Sequence, residues 1–144
     1  MTRAHRQMRD VREEALEPAE FWHRVRMSLD PVASNPEHYK VVFENERVRV
    51  LEYTDQPGEK TTPHQHPDSV MYTLSAFRRL LVSGDSQREV EMVAGSVGWL
   101  PAQEHHGENI GSTPTHVLFV ELKNTQPAAA EPGATVVESL GPQP

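Results

Sequence analysis

From residue 39 to residue 122 the chain is cut into short runs rich in valine, leucine and aromatic side chains, each closed by a turn signal. Residues 39–43 are such a run, and Asn45-Glu46 follows as a turn. Residues 47–53 alternate, with Val48 and Val50 on one face and Arg47, Arg49 and Leu51 on the other. Gln56-Pro57-Gly58 turns the chain again. Residues 70–74, 77–83, 89–93 and 95–100 are further strand candidates, with Gly84-Asp85 as a turn among them. Residues 116–122, His-Val-Leu-Phe-Val-Glu-Leu, are the most apolar run and predict a buried strand. Many short strands with turns between them predict an all-β sandwich or barrel.

The pattern changes on both sides of this block. Residues 1–17 are charged and carry few large apolar groups. Pro18 suits the first turn of a helix. Phe21, Trp22, Val25 and Leu29 then recur at roughly helical spacing up to Asp30-Pro31, which predicts a short amphipathic helix near 19–28. Its aromatic face needs a cover, the barrel or a second subunit, and the expectation is a homodimer. Beyond Lys123 alanine, proline and glycine dominate; residues 124–144 read as a tail, in which Val136-Val137 could add an edge strand. The chain of 144 residues thus divides into an extension over 1–38, a barrel over 39–123 and a tail over 124–144.

Within the block, residues 58–66 read Gly-Glu-Lys-Thr-Thr-Pro-His-Gln-His. On a strand, residues two apart face the same way, so His64 and His66 present two imidazoles to one side. Pro63 and Pro67 stiffen the backbone around them. Neutral imidazole suits zinc, iron, nickel and copper. The chain has no cysteine, so thiolate metal sites and disulfides are excluded. The net charge of −7 argues against a nucleic-acid partner. No stretch is apolar enough to span a bilayer and the start lacks a secretory core, so no membrane partner is expected and the location expected is cytoplasmic.

A second segment completes the pattern. Residues 95–109 read Gly-Ser-Val-Gly-Trp-Leu-Pro-Ala-Gln-Glu-His-His-Gly-Glu-Asn. With Gly58, His64 and His66 ahead of it, and with its own Gly95, Pro101 and Asn109, the chain resembles the cupin superfamily over roughly residues 39–123. The resemblance implies a double-stranded β-helix, or jelly roll, with a metal in the barrel mouth. The chain departs from the family pattern in three places. The acid of the first motif falls at Val70 or Met71, the closing glycine of that motif is absent, and Gln103 stands for a glycine of the second. Counting from Pro101 selects His106 as the third histidine, and counting back from Asn109 selects His105. The run from Trp99 through Ala102 and His105 to Asn109 and Gly111 is similar to that of small bacterial cupins and favours His105, with His106 the alternative.

The implied ligand set is His64, His66 and His105, holding one divalent transition metal with no carboxylate ligand. Three-histidine sets resemble those of thiol dioxygenases and a diketone-cleaving dioxygenase among the cupins. The implied function is a dioxygenase-type enzyme acting on a small chelating substrate, with iron as the metal; zinc, nickel, copper and manganese are the other candidates. The alternatives are a non-oxidative isomerase, lyase or hydrolase, whose base would be Glu121 or Tyr72, and a non-catalytic binding module. Met71 reads as a core methionine beside the site. Glu121 reads as a rim carboxylate, or else a partner to a histidine. Arg78-Arg79 reads as a solvated strand face rather than a carboxylate anchor. Trp99 and Tyr72 read as core, with lining the pocket as the alternative, His116 as structural, and Asp68 as a turn residue. His5, His23 and His38 lie outside both motifs.

Overall fold

The structure is a computed structural model that describes residues 17–123. His5, the tail and the Val136-Val137 strand lie outside the described residues, as does the Val25 side chain. Two helices come first, α1 (Pro18–Ser28) and α2 (Pro31–Ser34). Nine strands follow: β1 (Tyr39–Glu44), β2 (Val48–Asp55), β3 (His64–His66), β4 (Ser69–Thr73), β5 (Phe77–Ser83), β6 (Ser86–Met92), β7 (Val97–Leu100), β8 (Gln103–Asn109) and β9 (Thr115–Leu122).

The strands form two antiparallel sheets, one in the order β1-β2-β9-β4-β7 and one in the order β3-β8-β5-β6. The turns are built by the residues that mark them in the sequence. Asn45 Oδ1 accepts from the backbone N–H of Arg47 and Val48 at 2.8 and 2.9 Å, which closes β1 onto β2. Gly84, with φ of 56°, takes the first loop position between β5 and β6, where a tight hairpin needs a left-handed residue.

Tyr39, Leu51, Tyr53, Phe77, Val117 and Phe119 form the buried core, with Val32, Met71, Met92 and Leu100 packed against it. The buried positions of β9 are Thr115, Val117, Phe119 and Glu121, and those of β2 include Leu51, Tyr53 and Asp55. Two core expectations fail. Trp99 is 56% exposed and Tyr72 41% exposed, because they lie on the outward phase of β7, a sheet edge, and of its neighbour β4. Phe21 and Trp22 on α1 are also exposed, stacked edge to face at 5.5 Å. Among the described residues, no helix is long and apolar enough to cross a membrane.

Candidate metal centre

β3 pairs antiparallel with β8, in a register that sets His64 opposite His105 and His66 opposite Gln103. Inward alternation then gathers three imidazoles. The ring centroids are 5.0 Å apart for His64–His66, 4.9 Å for His64–His105 and 5.3 Å for His66–His105. One ring nitrogen from each lies within 4.8 Å of the others, and all three residues are buried. His106 is on the opposite phase of β8, in register with Val82 of β5, and stands outside this group.

Each ring has its Nδ1 against an oxygen that can only accept. His64 Nδ1 donates to the Thr62 carbonyl at 2.7 Å. His66 Nδ1 donates to Glu121 Oε1 at 2.9 Å. His105 Nδ1 donates to Gln103 Oε1 at 2.7 Å, and the Gln103 amide is oriented by its own N–H on the Pro101 carbonyl at 3.0 Å. With the proton on Nδ1, each Nε2 carries a free lone pair. Burial first, and then the neighbouring imidazoles and Arg79, push His105 down to about 3. Burial also pushes His64 down to about 4, against the opposing hydrogen bond to Thr62. Both rings are therefore neutral donors at neutral pH. Three imidazole nitrogens suit one borderline divalent metal, and these residues fit the ion that the motif implies.

Behind the ligands runs an ionic chain. Glu121 is 2% exposed, so it is a buried partner of His66 and not a rim carboxylate. Its other oxygen accepts from Arg49 Nε at 3.0 Å, and Arg49 Nη2 donates to Asp30 Oδ1 at 2.6 Å. Asp30 in turn caps α2, taking the N–H groups of Val32 and Ala33 at 3.1 Å each. The His66 ring stacks on Phe119, with centroids 5.0 Å apart.

The sequence offers no signal for Tyr39, yet its hydroxyl stands 3.0 Å from His64 Nε2 and 3.2 Å from His66 Nε2. Burial holds this phenol neutral, well above its usual pKa, so its single O–H is shared between those two nitrogens. Arg79 is also inside, 8% exposed, and only Arg78 meets solvent, paired with Glu89. Arg79 Nη1 bonds Asp55, and its guanidinium lies over the Tyr53 ring, 5.0 Å from the centroid. Burial opposes ionisation of Asp55, but the Tyr53 hydroxyl at 2.5 Å and the Arg79 charge outweigh it and hold the carboxyl below its usual range. Asn109 belongs to this network, donating to Asp55 Oδ1 at 3.0 Å. His116 pairs with Glu52 at 3.0 Å and His38 bonds the Thr54 carbonyl at 2.9 Å, both outside the histidine group. The site opens on a cavity of about 440 Å³, whose wall includes His64, His105, Arg79, Met71, Phe77 and Phe119.

No protein-family model matches the chain, and no curated protein does. Solved structures do. A cupin domain from Bordetella pertussis Tohama I is 28% identical over 59% of this chain and 91% of that one, with a TM-score of 0.56. A double-stranded β-helix protein from Klebsiella pneumoniae is 24% identical over 60% and 76%, with a TM-score of 0.48. The polyketide cyclase RemF from Streptomyces resistomycificus is 21% identical over 58% and 63%, with a TM-score of 0.47. The chain has the cupin fold, a double-stranded β-helix. Within it, this protein carries a three-histidine cluster that could bind a metal ion.

Proposed function

We propose that the protein is a mononuclear metal enzyme of the dioxygenase type, acting on a small molecule that chelates through oxygen or sulfur. The observation that carries this reading is the matched hydrogen bonding of the three Nδ1 atoms. Each Nδ1 is hydrogen-bonded, which leaves Nε2 of His64, His66 and His105 as the nitrogen available to an ion, and one ring nitrogen from each lies within 4.8 Å of the others. Three imidazoles by themselves would cancel none of a divalent ion's charge, and the ion would supply Lewis acidity, with redox chemistry toward dioxygen if it is iron.

The chain's own residues prepare the rest. Glu121 and Gln103 fix the tautomers and tilt of His66 and His105. Met71, Phe77 and Phe119 give the cavity an apolar wall that limits bulk water. Arg79, tied by Asp55, brings a guanidinium to the same wall and favours an anionic or electron-rich group on the substrate.

Metal analysis of protein purified without added metal, followed by oxygen-electrode assays on β-diketones and thiol-carboxylates, tests the reading. Bound iron and substrate-dependent oxygen uptake are expected. Zinc with oxygen-independent turnover would replace this reading with a non-oxidative isomerase, lyase or hydrolase. Bound metal with no turnover would leave a binding module.

A further inference from the structure

We propose that Tyr39 is a fourth protein ligand of the metal, through its phenolic oxygen. The proposal deepens the metal-site reading and rests on it. Tyr39 opens β1, and its ring is wedged between Tyr53 at 4.7 Å, His64 at 5.3 Å and His66 at 5.7 Å between centroids. That packing fixes the hydroxyl, which two observations tie to the ion.

The first is spacing. Donors on one ion, each bonded at about 2.0–2.1 Å, stand about 2.9 Å apart when octahedral neighbours and about 3.3 Å apart when tetrahedral ones. Tyr39 Oη is 3.0 Å from His64 Nε2 and 3.2 Å from His66 Nε2, so it already stands at donor-to-donor distance from two of the three ligands. The second is satisfaction. Those two nitrogens are the hydrogen-bond partners of this hydroxyl among the described residues, and Tyr39 is 5% exposed. A metal ion takes both lone pairs. The phenol then loses both protein acceptors, and its oxygen regains a partner by binding the same ion, with its proton leaving through the cavity that Tyr39 also lines.

The consequence concerns charge. Val70 and Met71 stand where the first motif carries its acid, which leaves the three-histidine set neutral. Tyr39 restores one negative oxygen to the set, drawn from β1 instead of the strand that follows the His-x-His pair. No new bond to substrate is involved. The coordination forms one metal–oxygen bond and releases one proton, with no change of oxidation state.

Ferrous-loaded protein, oxidised with ferricyanide and desalted, provides the probe, because a ferric–phenolate bond absorbs in the visible and enhances phenolate modes in resonance Raman spectra. The wild-type protein should show both signals. Tyr39→Phe should keep iron on its three histidines and lose both signals, whereas Tyr53→Phe, whose hydroxyl faces Asp55, should keep them. Iron bound to wild-type protein without a phenolate signal, or a signal that survives Tyr39→Phe, overturns the proposal. Failure of the wild-type protein to bind iron or any other divalent ion would instead sink the metal-site reading, and the proposal with it.

Discussion

Replacing Glu121 by glutamine changes one oxygen to an amide nitrogen in a group that faces two donors. His66 Nδ1 is 2.9 Å from one carboxylate oxygen and Arg49 Nε is 3.0 Å from the other. A carboxylate accepts from both; glutamine has one acceptor and must turn its NH2 toward the remaining donor. Arg49 cannot give up its charge, so the amide oxygen goes to it. The NH2 then meets His66, and the ring accommodates it by moving its proton to Nε2. That shift removes the lone pair the metal needs. Exchange of such supporting carboxylates costs roughly 10–100-fold in metal affinity, equivalent to about 1.4–2.7 kcal/mol. At 2% exposure Glu121 is poorly screened by solvent, which favours the upper part of that range. Competition against a chelator, with zinc as a redox-silent probe, measures the affinity. Long-range nitrogen–proton NMR of the metal-free protein reads the tautomer, which should be Nδ1–H in the wild type and Nε2–H in Glu121→Gln. Unchanged affinity with an unchanged tautomer would refute the reasoning.

His64→Ala, His66→Ala and His105→Ala should each abolish metal retention with the β-rich circular dichroism intact, and His106→Ala should retain metal; loss in His106→Ala alone would make Pro101 the right ruler for the second motif. In the metal-free protein, His64 and His105 titrate near about 4 and about 3, below the unfolded value of about 6.5. The unfolded chain therefore binds more protons between those values, so stability is full above about 6.5 and falls as the solution is acidified toward the folded pKa values, by on the order of 3–5 kcal/mol per ring; urea midpoints that stay flat over this window would contradict the burial argument. Gly107→Ala would put a methyl group 2.9 Å from Arg79 Nη2 and 3.1 Å from the Leu80 carbonyl, and should destabilise by about 1–3 kcal/mol; an unchanged denaturation midpoint would show that Arg79 is free to move. Val41, Val42 and Phe43 are all exposed on β1, an edge strand, and Phe21 and Trp22 are exposed on the helix, so light scattering at micromolar concentration should give a homodimer, and a monomer would refute this.

The strand block was legible because period-two patterning and turn residues are local. The His-x-His pair was legible for the same reason, and the register of β3 on β8 adds only the partner. What stayed hidden has physical causes. Gln103–Asn109 forms a full strand, yet its residues are polar because the inward face serves ligands and hydrogen bonds, so hydrophobic patterning does not report it. Glu121 could not be oriented from sequence. Both phases of β9 are apolar, with Val117 and Phe119 on one and Leu118 and Val120 on the other, so alternation carries no inward sign. Arg79 reads as surface next to Arg78; Asp55, brought across from the other sheet, and the face of the Tyr53 ring make its burial tolerable. Tyr39 reaches the histidines over 25 and 27 positions of chain, a distance that no local pattern encodes.

The same reasoning explains why residues 29–39, outside both motifs, matter to the site. β3 has only three residues and lies at the edge of its sheet, so pairing with β8 leaves its other side unpaired. The Leu29 carbonyl takes the N–H of Gln65 at 2.7 Å, fixing the residue between the two ligands. Asn35, fully buried, accepts from Thr62 N at 2.8 Å and donates to Thr62 O at 3.3 Å. Thr62 O is the acceptor that sets the His64 tautomer, so Asn35 acts on that ring through one carbonyl. Asp30 anchors Arg49 and thereby Glu121 and His66, and Tyr39 reaches the Nε2 atoms of His64 and His66 directly. A three-residue strand cannot hold two imidazoles at sub-ångström tolerance by its own ladder bonds. The rigidity comes from this segment, which is therefore as much a part of the metal centre as the histidines it orients.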